Sequence, residues 1–169
     1  MAISTKLQDL VTRDPSLVLA ADDLQQLDAK FSEIDGDGDG EITRAELRRS
    51  LGGGQAAPFV TESRVDAFLR DMDLDGDECL TFEELASATA VRHVEQLLAQ
   101  IAREIVILDP DSDADDAAIS EAVLEPLLEA IGLYDAPARA RALAKLERGA
   151  DGRVYPEQLA LAFFAAKAG

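Results

Sequence analysis

Asp35, Asp37 and Asp39 set carboxylates on alternate residues of the run Asp35-Gly36-Asp37-Gly38-Asp39-Gly40-Glu41-Ile42-Thr43-Arg44-Ala45-Glu46. In a coiled loop such alternation lets oxygens converge on one point. That arrangement suits a hard divalent cation such as calcium, which takes about 6–8 oxygens at about 2.3–2.6 Å with little directional demand. Counted from Asp35, the aspartates fall at loop positions 1, 3 and 5, and Gly40 supplies the positive φ of the sharp turn at position 6. Glu41 offers its main-chain carbonyl at position 7, and Thr43 at position 9 can hold a bridging water. Glu46 at position 12 closes the shell with two oxygens, and with Thr43 it forms a capping box for the helix that follows. Ile42 at position 8 is apolar, as expected of a residue that pairs strand-like with a second loop. A solvated acidic turn would explain the aspartates and glycines but not the agreement of all the other positions.

The second loop is Asp73-Leu74-Asp75-Gly76-Asp77-Glu78-Cys79-Leu80-Thr81-Phe82-Glu83-Glu84. Asp73, Asp75, Asp77 and Glu84 repeat the ligand positions, Leu80 repeats Ile42, and Thr81 with Glu84 repeats the capping box. Glu78 stands where glycine belongs. Forcing a side chain to positive φ costs on the order of 1 kcal/mol, which weakens such a site without abolishing it. Cys79 is expected to contribute its main-chain carbonyl, because a hard ion does not favour sulfur.

The flanking sequence must position these loops. Ile3, Leu7, Leu10 and Val11 share one face of a short N-terminal helix that Asp14-Pro15 ends. Leu24, Leu27, Phe31 and Ile34 recur at helical spacing from about Ala20 and stop at Asp35. Leu47 and Leu51 carry the exiting helix to Gly52-Gly53-Gly54, and 55–60 reads as a linker. Thr61 is placed to cap a helix bearing Val65, Phe68, Leu69 and Met72. From Thr81 to Leu108 there is no glycine or proline, which leaves open one long helix or two bending near Ala88-Thr89-Ala90. Its apolar stripe is Leu97, Leu98, Ile101, Ile105 and Leu108, while His93 reads as a surface residue.

Two further loops depart from the pattern. Asp109, Asp111 and Asp113 begin a third, but Ile119 arrives three residues late for position 8 and Val123 falls in the closing position. Asp115, Asp116 and Glu121 leave open weak binding in a relaxed loop. A fourth spans Glu147 to Gln158, keeping Gly152 for the turn and Val154 for pairing with Ile119. Its position 3 is Gly149, its position 12 is the neutral Gln158, and Arg148 and Arg153 repel a cation. It is read as structural. Pro156 suits the first turn of a last helix whose Leu159, Phe163 and Phe164 pack inward.

With 169 residues and 47% apolar content the chain can build a core, while its net charge of −18 argues against nucleic acid and anionic membrane as partners. The single cysteine excludes an intramolecular disulfide and is compatible with a reducing compartment. No apolar signal core, myristoylation signal or long apolar run is present, so a cytoplasmic protein is expected.

These residues and repeats resemble the EF-hands of the calmodulin superfamily. Length, the extra N-terminal helix and the eroded loops look most like sarcoplasmic calcium-binding proteins and their calerythrin-like bacterial relatives. The resemblance implies an all-α fold of four EF-hand units paired into two lobes, with the extra helix and short loop–loop β pairing. The expected division is 1–19 for the N-terminal helix and connector, 20–90 for the pair with two calcium loops, and 91–169 for the degenerate pair. The expected ligands are Asp35, Asp37, Asp39, Glu41 and Glu46 in loop one, and Asp73, Asp75, Asp77, Cys79 and Glu84 in loop two. Two Ca²⁺ are expected, with Mg²⁺ as a competitor. Function divides between a calcium buffer or store and a sensor that opens a groove for a helical target. Only Met1 and Met72 are available to line such a groove, which leans to the buffer. One histidine and no phosphate-cradling motif lead to the expectation that the chain is not an enzyme. With no tryptophan, a photoprotein fits poorly.

Overall fold

A computed structural model describes residues 3–52, 62–109 and 118–167. The expectations for the linker at 55–60, the Thr61 cap and the Asp111–Asp116 part of loop three lie outside the described residues. The described chain is all-α with a two-stranded sheet. The helices are α1 (Thr5–Arg13), α2 (Ala21–Ile34), α3 (Arg44–Leu51), α4 (Glu62–Met72), α5 (Phe82–Leu108), α6 (Leu124–Ala130), α7 (Ala136–Lys145) and α8 (Pro156–Lys167). The strands are β1 (Glu41–Ile42) and β2 (Leu80–Thr81). Of the two readings left open for Thr81 to Leu108, the structure has the single helix, 27 residues long.

The chain divides into two compact units, one of Thr12–Ala90 and one of Met1–Val11 with Val91–Gly169. In the first, α2 enters loop one and α3 leaves it, then α4 enters loop two and the start of α5 leaves it. Helical spacing puts Phe31, Leu47, Val65, Leu69, Met72 and Leu85 in one buried cluster with Ile42 and Leu80. Each such side chain contributes about 1.5–3 kcal/mol when fully buried. Phe31 meets Phe82 edge to face, with ring centroids 6.0 Å apart. Above this core β1 and β2 run antiparallel, with Ile42 opposite Leu80 and Glu41 opposite Thr81. The loops are therefore joined back to back at their position-8 residues, which are 1% and 0% exposed.

The second unit repeats the pairing more sparsely. Ile119 and Val154 form an isolated antiparallel bridge, the Ile119 N–H donating to the Val154 carbonyl at 2.7 Å. α7 packs on α8, and Phe163 and Phe164 are both buried. In α1 the expected apolar face is narrower than its sequence implies. Leu7 and Val11, four apart, are buried, but Leu10 is 44% exposed because its turn position lies beside their stripe.

Candidate metal centre

Loop one is held open as a cage by its own first carboxylate. The Gly38 N–H donates to Asp35 Oδ1 at 2.8 Å, and the Gly40 N–H donates to Asp35 Oδ2 at 3.0 Å. Asp37 accepts from the Asp39 N–H and Asp39 from the Glu41 N–H, at 3.3 and 3.0 Å. These bonds curl the backbone so that Asp35, Asp37 and Asp39 each offer an oxygen within 4.8 Å of the others. Gly38 and Gly40 sit at φ 75° and 90°, which is open to glycine at no steric cost.

Glu46, in the first turn of α3, spans the loop. One oxygen accepts the Gly36 N–H at 2.7 Å, where the loop begins; the other accepts the Thr43 N–H and hydroxyl at 2.9 and 2.7 Å, where it ends. A carboxylate bonded in this way resists protonation. The Thr43 hydroxyl, the Thr43 N–H and the Gly36 N–H together hold Glu46 down to about 2. Asp37 moves the other way: the Asp39 N–H draws it down, but repulsion from Asp39, Glu46 and Asp35 leaves it raised. That mutual repulsion is the charge a bound cation neutralises.

Loop two reproduces the same bonds. Asp73 accepts from the N–H groups of Gly76 and Glu78 at 2.7 and 3.1 Å, and Asp77 accepts from the Cys79 N–H at 2.8 Å. Glu84 accepts from the N–H groups of Leu74 and Thr81, both at 2.9 Å, and from the Thr81 hydroxyl. Burial pushes Glu84 up, yet these donors outweigh it and hold the carboxyl low. Here Asp73, Asp75 and Glu84 are the acids whose oxygens lie within 4.8 Å of one another. Cys79 is half-buried, and burial together with Asp77, Glu41, Asp39 and Asp73 pushes its thiol up. The thiol thus stays protonated, which leaves its carbonyl as the donor of interest. The donor set of both loops is carboxylate and carbonyl oxygen, and it fits a hard cation. When bound, such an ion would neutralise the mutual repulsion of these acids.

Glu78 takes the left-handed conformation its position demands, with φ 67°, as the sole described residue other than glycine to do so. Its carboxylate faces Arg44 at 3.8 Å across an exposed gap. Glu78→Gly removes a backbone cost of about 1 kcal/mol, while the exposed ion pair it loses is worth less. The expected result is a thermal midpoint of the calcium-free protein raised by a few degrees, with loop two binding calcium a few-fold more tightly. A lowered midpoint would mean that the Arg44 contact outweighs the strain.

The depressed Glu46 also carries a pH signature. Its folded value near 2 lies below the ordinary 4.5. The stability it contributes is therefore complete above pH 4.5 and is lost as pH falls through 2. In calcium-free protein, the difference in thermal midpoint between wild type and Glu46→Gln should be constant above pH 4.5 and close as pH approaches 2. A difference that persisted at pH 2 would show that charge on Glu46 is not its source.

Sequence spacing did not reveal the ion pairs behind the loops. Arg44, at the start of α3, meets Glu62 and Asp66 of α4 as well as Glu78, and Arg48 meets Glu62 at 2.5 Å. The signal available was an Arg44–Arg48 helical pair followed by acids at i and i+4 on the next helix. Loop four is built differently. Asp151 accepts the Tyr155 hydroxyl at 2.5 Å and the Arg153 N–H at 3.1 Å, bonds that hold its carboxyl low. A Cβ at Gly149, position 3, would lie 2.8 Å from Asp151 Oδ1. Arg148 donates to the Gly152 carbonyl and pairs with Glu121.

Two helix–loop–helix units joined through their loops, each with converging acids, define a calcium-binding module. Residues 24–90 match the model of the EF-hand domain pair. The chain is 27% identical over 153 residues to calcium-dependent protein kinase 9 of Arabidopsis thaliana, covering 90% of this chain and 27% of the relative. It is 41% identical over 66 residues to calcium-binding protein 4 of Mus musculus, covering 36% of this chain and 22% of the relative. It is 39% identical over 59 residues to the probable calcium-binding protein CML16 of Oryza sativa subsp. japonica, covering 35% and 32%. The chain thus spans between about a fifth and a third of the length of these relatives.

The kinase corrects one expectation. The lack of a catalytic constellation in the sequence led to a non-enzymatic reading, yet the chain matches, over 90% of its length, part of a protein named as a kinase. That reading does not stand. Nor does a match to 27% of the kinase make this chain an enzyme.

Proposed function

We propose that the chain binds two calcium ions in residues 20–90, one in each complete loop, and that binding itself is the function, as in a cytoplasmic calcium buffer or store. The ligands are Asp35, Asp37, Asp39 and Glu46 with the Glu41 carbonyl, and Asp73, Asp75, Asp77 and Glu84 with the Cys79 carbonyl. The observation that carries the reading is the placement of Glu46 and Glu84. Each bridges the two ends of its own loop. A closing glutamate held at both ends of its loop makes a rigid, carboxylate-rich site, which suits tight binding of the ion. The scarcity of methionine, Met1 and Met72 alone in the sequence, supports the same reading. In the other unit, residues 91–169 act as a structural pair, because loop four commits Asp151 to the Tyr155 hydroxyl and sets the cation Arg148 on its Gly152 carbonyl.

The relatives favour a second reading, a calcium sensor acting on a protein target, since those that match most of this chain are named calcium-dependent kinases. The two readings differ in one measurement. Calorimetric titration with calcium, magnesium present, should show two ions bound. Fluorescence of the dye ANS, which reports exposed apolar surface, should stay flat or fall across the same titration. A sharp rise would replace the buffer with the sensor. No heat of binding at loop one or loop two would sink both.

A further inference from the structure

Glu78 holds a backbone conformation that glycine would adopt at no steric cost, with φ 67°. Loop one has Gly40 at the matching position. A side chain kept at a strained place points to a use, and the contacts of Glu78 offer one. Its carboxylate faces the Arg44 guanidinium at 3.8 Å. Its N–H donates to Asp73 Oδ2 at 3.1 Å, so the same residue steadies the first ligand of loop two.

Arg44 belongs to loop one. It opens α3 two residues before Glu46, whose oxygens accept from Gly36 and Thr43 at the two ends of that loop. The guanidinium is also held from α4, the helix that enters loop two, where it pairs with Asp66 and Glu62. A contiguous path therefore joins the two loops. It runs from Glu46 through one helical turn to Arg44, across the ion pair to Glu78, and along the Glu78 N–H to Asp73. The path is one-sided. The residue matching Arg44 in loop two is Phe82, which meets Phe31, and loop one has no side chain to match Glu78.

We infer that Arg44 and Glu78 are positioning residues that couple the two loops, a salt-sensitive strap through which an ion held by Glu46 favours an ion held by Asp73. The inference rests on the two-ion reading above. An ion on Glu46 fixes the first turn of α3, and Arg44 with it. Glu78 then faces a fixed partner, so its bond to Asp73 is ordered and the second ion costs less freedom on binding. The strap acts on loops that Ile42 and Leu80 hold together, so it adds to that contact and does not replace it.

The test is a calcium titration of the full chain in competition with a chelator, with the Gly40 and Gly76 amide signals reporting loops one and two separately. The coupling is the factor by which Glu46→Gln, which disables loop one, weakens calcium binding in loop two. Glu78→Gln keeps the strained backbone and removes the charge. It should shrink that factor about two- to fivefold at about 0.01 M salt, in line with an exposed ion pair. The difference should vanish at about 1 M salt, where the screening length is about 3 Å. Arg44→Gln should shrink the factor equally and Arg44→Lys less, and the two glutamine changes together should do no more than either alone. An unchanged factor in Glu78→Gln, with loop two weakened equally whether or not loop one is intact, would make the pair merely structural and overturn the inference. A drop that persists at high salt, or that doubles in the double variant, would overturn it too, and in each of these cases the two-ion reading stands. A wild-type chain that binds fewer than two ions would sink that reading, and the inference would fall with it.

Discussion

Glu46→Gln is expected to lower calcium affinity at loop one by roughly 100-fold or more, measured by calorimetric titration. Glu46 is 6% exposed, and its two oxygens reach both ends of the loop from one rigid helical turn. Glutamine keeps the shape but offers one carbonyl oxygen and no charge. Removing one partner of a buried charge pair costs about 3–5 kcal/mol, and every 1.4 kcal/mol is about tenfold in affinity. Loop two should lose much less, because its own acids are intact and only the partner loop is loosened. Glu84→Gln should cost less overall than Glu46→Gln, since Glu78 already strains loop two. If Glu46→Gln left affinity untouched while Glu84→Gln destroyed it, loop two would be the dominant site and the strain at Glu78 irrelevant to binding.

What the sequence could show follows from the range of the interactions involved. The bounds of α2 were legible because apolar residues at helical spacing stop against Asp35, and the structure ends the helix at Ile34. The pairing of Ile42 with Leu80 and of Ile119 with Val154 was legible because an apolar residue at position 8 of an otherwise polar loop has no other use. The Ser4–Glu157 contact was not legible, since it joins residues 153 apart and neither type is unusual where it stands. The Arg44 cluster was hidden for a related reason. Exposed charges on successive helices meet through tertiary packing, not through local spacing. Leu10 shows the opposite error, an apolar residue counted into a face that has room for two. The continuity of α5 was undecided, because a lack of helix breakers permits one helix without requiring it. The enzymatic question was beyond the sequence, because the lack of a familiar catalytic constellation is no observation against catalysis.

Leu80→Ala is expected to lower the thermal midpoint of the unit Thr12–Ala90 by about 10 °C or more and to uncouple its two calcium loops. Leu80 has no exposed surface, and truncating such a leucine costs about 2–5 kcal/mol, each kcal/mol being worth about 4–8 °C in a domain of this size. Leu74→Ala, six residues earlier in the same loop, is the internal control. Leu74 is 56% exposed, so its truncation should move the midpoint by no more than a degree or two. The coupling has a separate origin from the stability. Alanine retains the main-chain N–H and C=O, so the β1–β2 hydrogen bonds survive while the contact with Ile42 is lost. If the loops close together because these two side chains pack, the calcium isotherm of Leu80→Ala should lose its cooperativity even at temperatures where the unit stays folded. Leu80→Val restores most of the contact and should restore most of the cooperativity. An isotherm that stayed cooperative in Leu80→Ala would place the coupling in the backbone ladder instead, where Pro substitution at Leu80, not truncation, would break it.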